Sequence, residues 1–212
     1  MTQNYDPSGQ GCVDFSYQVL WREPGACCKM GEIPPNLAKK ESIFKVYNDD
    51  GCCGQRCVAM FFLLQKTRKN MFRYYTVPRR VAQWDQLTRK VCTDIDFDKP
   101  MDVVDWQKVT DKYSYPVEIF TWDEERGAQP FYRTQVAKEG MTAREGFAHA
   151  AHQTGCISVL LHQLPEGSEY RKHYHLINNV DAATYVRYET EDVFKYCQPC
   201  GKRIRSQNFD KH

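Results

Sequence analysis

Hydrophobic and polar positions alternate along this chain with two different periods. A period of two, typical of an edge strand, is found at Phe15, Tyr17, Val19 and Trp21. A second short strand is predicted over 43–47, and it runs into the turn sequence Asn-Asp-Asp-Gly at 48–51. Helical spacing follows directly after this turn, at Cys57, Met60, Phe61 and Leu64. The pattern therefore predicts a strand, a tight turn and a buried helix in succession.

The rest of the chain mixes both periods. Helices are predicted over 66–90 and over 101–113, and Asp98 is offered as the cap of the second. Strong strands are predicted over 117–122 and 156–161, and a last strand over 174–178. The polar stretch between the two strong strands predicts a loop or hairpin with a short helix near 143–152. We therefore expect an α+β fold with a small central sheet flanked by helices.

Composition narrows the class of protein. With 212 residues, 42% of them hydrophobic, the chain can bury one substantial core plus a small appendage. With a formal net charge of +2, the chain as a whole does not attract nucleic acid electrostatically. No apolar run reaches membrane-spanning length, and the polar start MTQNYDPSGQG lacks a secretory signal pattern, so we expect a soluble, intracellular protein. The ten cysteines fall in clusters, which favours thiol chemistry and metal binding over disulfides.

Cys53 lies at a position where the local structure can activate a cysteine as a nucleophile. The segment Asp50-Gly51-Cys52-Cys53-Gly54 places Cys53 at the end of a glycine-containing turn, where a helix begins. Unpaired amides and the positive end of a helix dipole stabilise a thiolate there. Neutral imidazole is the usual proton carrier, and His173 at the mouth of a late strand is the best placed of six histidines. The alternative is that Cys52, Cys53 and Cys57 are small core residues.

At these residues the sequence resembles the ovarian tumour (OTU) family of papain-like cysteine proteases. Their motif DGxC followed after two residues by Arg is matched by Asp50, Gly51, Cys53 and Arg56, and their late motif HYxxI by His173, Tyr174 and Ile177. The resemblance implies that Cys53 is the nucleophile and His173 the general base. It also implies that Asp50 shapes an oxyanion site with the amides of Gly51, Cys52 and Cys53.

The ring of His173 needs an orienting partner, and the chain departs from the family at this point. Many OTU enzymes place Asn or Asp two residues after the histidine, whereas His175 stands there in this chain. His175 is therefore a candidate orienting residue. Asp50, Asp181 and a main-chain carbonyl are the other candidates for the partner of the imidazole.

A second resemblance covers most of residues 25–212. The order of blocks, from GACCKMGEIPPNLAKKESIFKVYNDDGCCGQRCV through CISVLLH and HYHLINN to YCQPCGKRIRSQNFDKH, is similar to the region ahead of the protein-primed family B DNA polymerase in Maverick or Polinton elements and related viruses. The resemblance implies a location in the host cytoplasm or nucleus and a replicative DNA polymerase as a partner. The polymerase's metal-binding aspartate motifs are not present, so DNA synthesis is not expected.

The last residues predict a metal site. Cys197 and Cys200 have CxxC spacing, and His212 follows twelve positions later, which resembles the first three ligands of a two-Cys, two-His finger for structural zinc. The alternative is a disordered tail with two free thiols. Lys202, Arg203 and Arg205 would give such a finger a weak attraction for phosphate.

These observations predict a leader and edge strand over 1–24, an OTU-like domain over 25–192 and a partial finger-like tail over 193–212. The first functional hypothesis is a thiol hydrolase that acts on ubiquitin-type conjugates or on its own polyprotein, with no cofactor needed for catalysis. A second hypothesis is an inactive accessory domain that positions replication proteins or DNA. In a third, Cys27, Cys28, Cys52, Cys53 and Cys57 assemble a zinc cluster.

Overall fold

The computed structural model describes residues 35–39, 41–46, 51–66, 81–97, 99–163, 172–185 and 193–212. In these ranges the helices are α1 (Pro35–Ala38), α2 (Cys53–Lys66), α3 (Val81–Val91), α4 (Val103–Tyr113), α5 (Ala143–Thr154), α6 (Val180–Ala183) and α7 (Ser206–Phe209). The strands are β1 (Ile43–Phe44), β2 (Val117–Asp123), β3 (Gly127–Arg133), β4 (Ile157–Gln163), β5 (Lys172–Ile177), β6 (Phe194–Cys197) and β7 (Lys202–Arg205). The predicted leader and edge strand over 1–24 lie outside the described residues.

Five strands form one mixed sheet in the order β1-β5-β4-β2-β3. The central strands β2 and β4 are parallel, and α5 lies between them in the chain, while the remaining neighbours are antiparallel. Strands β6 and β7 form a separate hairpin. The predicted α+β class, with helices against a central sheet, is confirmed.

The two faces of the sheet bury separate cores, as expected when successive side chains of a strand point to opposite faces. On one face α2 and α4 pack against β2, β4 and β5 through a core that includes Val58, Trp106, Ile119, Leu161 and Tyr174. On the other face α1, α6 and β6 cover a smaller core that includes Leu37, Phe120, Leu160, Ala183 and Tyr196. Helix α2 therefore lies against the strand that carries His173.

Helix α4 begins later than the sequence predicts. Its N-cap is Asp102, whose carboxylate accepts hydrogen bonds from the amides of Val104 and Asp105, and the Asp105 side chain in turn accepts from the Asp102 amide. This reciprocal capping box satisfies three amides at the helix start. The prediction of Asp98 as the cap is therefore wrong, since the helix starts at Val103.

The other predicted elements that lie in the described residues agree with the structure in their type and approximate position. Helix α3 covers the end of the helical region predicted over 66–90, and residues 67–80 lie outside the described residues. The strand predicted over 43–47 is shorter, because β1 pairs with β5 only at Ile43 and Phe44. The helix predicted after the turn is α2, and the late strand is β5. The tail is an ordered hairpin followed by the single turn α7, so the alternative of a disordered tail is wrong. Among the described residues, no helix is both long and apolar enough to cross a membrane.

Candidate thiol–imidazole site and metal knuckle

Cys53 is the first residue of helix α2. The carbonyl of Cys52 accepts a hydrogen bond from the amide of Arg56 at 2.9 Å, which is the first bond of the helix. Amides in the first turn of a helix have no acceptor within the helix, and they give that end a partial positive charge. The sulfur of Cys53 therefore lies at the end of a helix that stabilises a thiolate or an oxyanion.

The sulfur of Cys53 lies directly against strand β5. The amide of Tyr174 donates a hydrogen bond to Cys53 Sγ at 3.4 Å. Because Tyr174 N is bonded to the carbonyl carbon of His173, the sulfur lies within about 5 Å of the His173 backbone. The fold thus brings the Cys53 sulfur to the main chain beside His173. Because side chains alternate along a strand, Tyr174 shares the core that contains Cys53, and the His173 side chain leaves the strand on the other face. The side chains of Cys53 and His173 are both fully buried, at 0% exposure.

The main chain of Val46 is the partner of the His173 ring. His173 Nε2 lies 2.8 Å from the carbonyl oxygen of Val46. A carbonyl oxygen can only accept, so Nε2 carries the proton, and in the neutral ring Nδ1 is then the basic nitrogen. Of the candidates for the partner of the imidazole, the main-chain carbonyl is in contact with the ring, and Asp50 lies outside the described residues. Asp181 instead accepts a hydrogen bond from the amide of Tyr196.

His175 contacts the same residue from the other side. Its Nδ1 accepts a hydrogen bond from the amide of Val46 at 3.3 Å. The rings of His173 and His175 have centroids 4.7 Å apart, and His162 on β4 stacks on His175 at 6.1 Å. Burial, with the neighbouring His173, His162 and Lys45, holds the pKa of His175 well below its ordinary value. His175 is therefore neutral, and it can accept the amide hydrogen of Val46 throughout the neutral pH range.

The remaining motif residues anchor the start of α2. The Cys52 thiol donates to the carbonyl of Phe97 at 3.4 Å, so Cys52 serves as a structural donor at this position. Arg56 forms an ion pair with Asp85 of α3 at 2.7 Å, and its side chain is 4% exposed. At Gly51 an added Cβ would be 3.3 Å from Pro100 N, a tight contact. Asp50 lies outside the described residues.

The cysteine cluster is not a metal site within the described ranges. Cys52, Cys53 and Cys57 are buried, and the described cysteines form no disulfide with one another. The one group of metal-binding side chains found in the described part of the chain lies elsewhere, in the knuckle. Cys27 and Cys28, the other members of the predicted cluster, lie outside the described residues.

Residues 193–212, here called the knuckle, bring three potential ligands together. The ligand atoms of Cys197, Cys200 and His212 all lie within 4.8 Å of one another, and Cys200 Sγ is 3.0 Å from His212 Nε2. Atoms bound to one tetrahedral zinc ion lie roughly 3 to 4 Å apart, as its bond lengths require. Gly201 closes the turn with a φ of 70°, a left-handed conformation that favours glycine. This group can hold a metal ion, as the spacing predicts.

Arg133 docks the knuckle on the main sheet. Its guanidinium donates to the carbonyl oxygens of Gln198 at 2.6 Å and Pro199 at 3.2 Å, both between the two cysteines. It also forms an ion pair with Glu118 at 2.6 Å, and Tyr196 donates its hydroxyl to the same carboxylate oxygen at 2.5 Å. Burial raises the pKa of the Glu118 carboxyl, and Arg133 opposes this shift. One buried network thus joins the knuckle to β2 and β3.

Two residues of these sites were missed by sequence reasoning. Val46 acts through its main chain, which leaves no mark in the sequence. A partner such as Arg133 could have been predicted, because Glu118 interrupts an apolar strand. A buried carboxylate requires a cationic or hydrogen-bonding partner. No family model, curated protein or solved structure matches this chain.

Proposed function

We propose that this chain is a thiol hydrolase of the OTU-like kind, with Cys53 as nucleophile and His173 as general base. The observation that carries the proposal is the position of Cys53 Sγ at 3.4 Å from the amide that follows His173, while His173 Nε2 is held by Val46. Two features support activation of the cysteine: the thiol lies at a helix start, and it contacts the main chain beside a histidine whose ring has an orienting acceptor.

The reaction follows from these positions. His173 Nδ1 takes the proton of Cys53, and the thiolate attacks the carbonyl carbon of an amide or isopeptide bond. The S–C bond forms while the carbonyl electrons move to oxygen, and amides at the start of α2 stabilise this oxyanion. When the oxyanion collapses, the C–N bond breaks and the imidazolium protonates the leaving amine. Water, deprotonated by His173, then hydrolyses the thioester and restores the thiol.

Burial sets a condition on this mechanism. Since Cys53 and His173 are both fully buried, a substrate carbonyl reaches the sulfur only after the packing over Cys53 opens. The proposed enzyme is therefore gated, and substrate binding supplies the free energy of opening. The substrates implied by the family resemblance are ubiquitin-type conjugates or the protein's own polyprotein. The second resemblance implies that a virus or Maverick-type element encodes the enzyme.

The test uses ubiquitin with a C-terminal propargylamide, together with di-ubiquitin chains and a peptide library. We expect a covalent adduct, mapped to Cys53 by tryptic digestion, or cleavage of one substrate class that Cys53→Ala abolishes. Cys57→Ala is the matched control, because Cys57 is a buried thiol one turn further along the same helix. Absence of both adduct and Cys53-dependent cleavage would overturn the proposal.

A second candidate function is an inactive accessory domain that binds nucleic acid beside a protein-primed family B DNA polymerase. The specific observation is the charge of the knuckle, where Lys195, Lys202, Arg203, Arg205 and Lys211 accompany a single acidic residue, Asp210. A DNA titration at increasing salt discriminates the two, because affinity from phosphate contacts falls steeply with salt. No binding at about 50 mM salt would eliminate this candidate.

We further propose that the metal held by the knuckle is structural zinc. Two thiols and an imidazole form a donor set that suits zinc. The described residues supply three of the four ligands that a closed structural site requires. Metal analysis of the purified protein tests this: about one zinc per chain is expected, and a metal-free protein with an intact knuckle would contradict it.

A further inference from the structure

Val46 is held between two histidines of one strand. Its amide donates to His175 Nδ1 at 3.3 Å, and its carbonyl oxygen accepts from His173 Nε2 at 2.8 Å. His173 and His175 are two positions apart on β5 and therefore project from the same face of the sheet. The main chain of a single residue thus connects the two rings.

This contact replaces ordinary strand pairing. Strand β1 pairs with β5 at Ile43 with Ile177 and at Phe44 with Leu176. The same antiparallel register, continued, would set Val46 opposite Tyr174. Instead, Val46 bonds the two imidazole rings, and the amide of Tyr174 donates to Cys53 Sγ. Leaving the ladder at this point frees Val46 for the histidines and gives the sulfur its place on the strand.

The two bonds fix the same tautomer in both rings, with the proton on Nε2 and an unprotonated Nδ1. The carbonyl of Val46 requires a proton on His173 Nε2, and its amide requires an unprotonated His175 Nδ1. Once the amide of Val46 is anchored, the direction of its carbonyl depends only on the two dihedral angles of that residue. A β-branched, buried side chain restricts Val46 further. His175 thereby determines where the acceptor for His173 lies.

We propose that His175 is a positioning residue that orients His173 through the main chain of Val46. This inference rests on the proposed function, since it assigns a role in activating Cys53. His175 bonds neither His173 nor a substrate in this role: it serves as a neutral acceptor that keeps the Val46 carbonyl on His173 Nε2. The basic Nδ1 is then left for the proton of Cys53.

The environment of His175 suits a neutral acceptor. Within the described residues, the charged or titratable neighbours that lower the pKa of His175 are His173, His162 and Lys45, all of them basic. Each disfavours a positive charge on the ring, and a protonated Nδ1 could not accept from Val46. Among the described residues no hydrogen-bond partner is found for His175 Nε2, so the contact of this ring with Val46 is its defining polar interaction.

Two substitutions separate the role of the acceptor from that of the ring. His175→Asn places Oδ1 close to the position of Nδ1 and keeps an acceptor for the Val46 amide. His175→Leu removes the acceptor but keeps an apolar group of similar volume. His162→Asn is the control for loss of a buried histidine on the same face, since the structure gives His162 no bond to Val46. Thermal unfolding of each variant establishes that it is folded.

The readout is the rate at which Cys53 reacts with iodoacetamide at neutral pH, followed by peptide mapping. For each protein, the rate is divided by the rate of the same protein carrying His173→Gln, which keeps a donor near Val46 but cannot act as a base. Because both rates come from the same background, their ratio corrects for opening of the buried site. We expect His173→Gln to slow the reaction at least about tenfold in the wild-type, His175→Asn and His162→Asn backgrounds, and hardly at all in His175→Leu.

The outcomes separate this inference from the function on which it rests. If His173→Gln has no effect in the wild-type background, the proposed catalytic pair itself fails. If His173→Gln slows the reaction equally in the wild-type and His175→Leu backgrounds, the pair stands and the positioning role of His175 is overturned. Loss of the His173 effect in His175→Leu, with its rescue in His175→Asn, supports the inference.

Discussion

His173 donates its Nε2 proton to the carbonyl of Val46 at 2.8 Å, so the orienting partner of the proposed base is a neutral main-chain group. A carboxylate partner would stabilise the imidazolium by charge, whereas a carbonyl does so only through its dipole. The geometry therefore fixes the tautomer of His173 while adding little charge stabilisation.

Replacing Cys53 should abolish thiol chemistry with little loss of stability. Cys53→Ala removes one buried sulfur from the core, and we expect a decrease in the free energy of unfolding of about 1 kcal/mol. All modification by a substrate-derived electrophile should be lost. Cys57→Ala creates a comparable cavity but should retain modification. Equal modification of Cys53→Ala and wild type, measured by intact mass, would show that another thiol reacts.

Acid should destabilise the fold through the buried histidines. Burial lowers the pKa of His175 and His162 in the folded state. The unfolded chain therefore binds more protons below about pH 6.5, and stability that is complete above this value is lost as the pH falls. In this window each histidine should lower the free energy of unfolding by roughly 1.4 kcal/mol for every pH unit of acidification.

Urea unfolding at several pH values measures this dependence. The slope of stability against pH should become shallower in His175→Asn, because one titrating group has been removed. His152→Asn, at an exposed position of α5, is the control and should retain the wild-type slope. A wild-type stability that stays constant between about pH 7.5 and 5.5 would contradict neutral burial of these rings.

Removing Arg133 should destabilise both the sheet and the knuckle. Arg133→Met leaves the fully buried carboxylate of Glu118 without its ion-pair partner, at an expected cost of about 3 kcal/mol. The pKa of Glu118 is already raised by burial and should rise further without Arg133. Such a group gives stability at low pH that is lost as the pH rises through its folded pKa.

The stability that Arg133→Met loses relative to wild type should therefore be smaller near pH 5 than near pH 7.5, as measured by thermal unfolding of both proteins. The double variant Arg133→Met with Glu118→Gln should recover part of the lost stability, because no buried charge remains. If the two substitutions instead add independently, Arg133 and Glu118 do not act as a pair.

Metal binding should require the two knuckle cysteines. Cobalt substituted for zinc gives thiolate charge-transfer absorption, which Cys197→Ser or Cys200→Ser should abolish and which Cys92→Ala should leave intact. Cys92 is the control because it is a buried thiol that donates to the carbonyl of Gln55. Because Arg133 ties the knuckle to the sheet, a chelator should also lower the unfolding temperature of the whole domain. An unchanged unfolding temperature would contradict this coupling.

Periodic patterns predicted most of the described elements, but strand β3 shows the limit of prediction from local patterns. Gly127 and Pro130 indicated a loop or hairpin without choosing between them, and the structure has the hairpin, with both residues in its seven-residue second strand, β3. Strand β3 is at the sheet edge, where proline is tolerated, and the pairing register shifts opposite Pro130. Local turn signals cannot distinguish an irregular edge strand from a loop.

The candidate sites were predictable to different degrees. The ligands Cys197, Cys200 and His212 are visible in their spacing, and the structure brings them together. Cys53 and His173 are visible in their motifs, and the structure places the sulfur of Cys53 at the main chain beside His173. The contribution of Val46 was not predictable, because any residue supplies the same carbonyl. Burial of Cys53 was also not evident, since it depends on how α2 packs against β5 and not on the local motif.

Thiolate absorbance near 240 nm tests most directly whether Cys53 and His173 form an ionised pair. The measurement is the difference spectrum between wild type and Cys53→Ala as the pH is raised, repeated in the His173→Gln background. We predict thiolate absorbance of Cys53 already near pH 7, below the value of about 8.5 expected for a free thiol, and its loss in His173→Gln. A difference spectrum that shows no thiolate below about pH 8.5, or that is identical in the two backgrounds, would contradict the proposed pair.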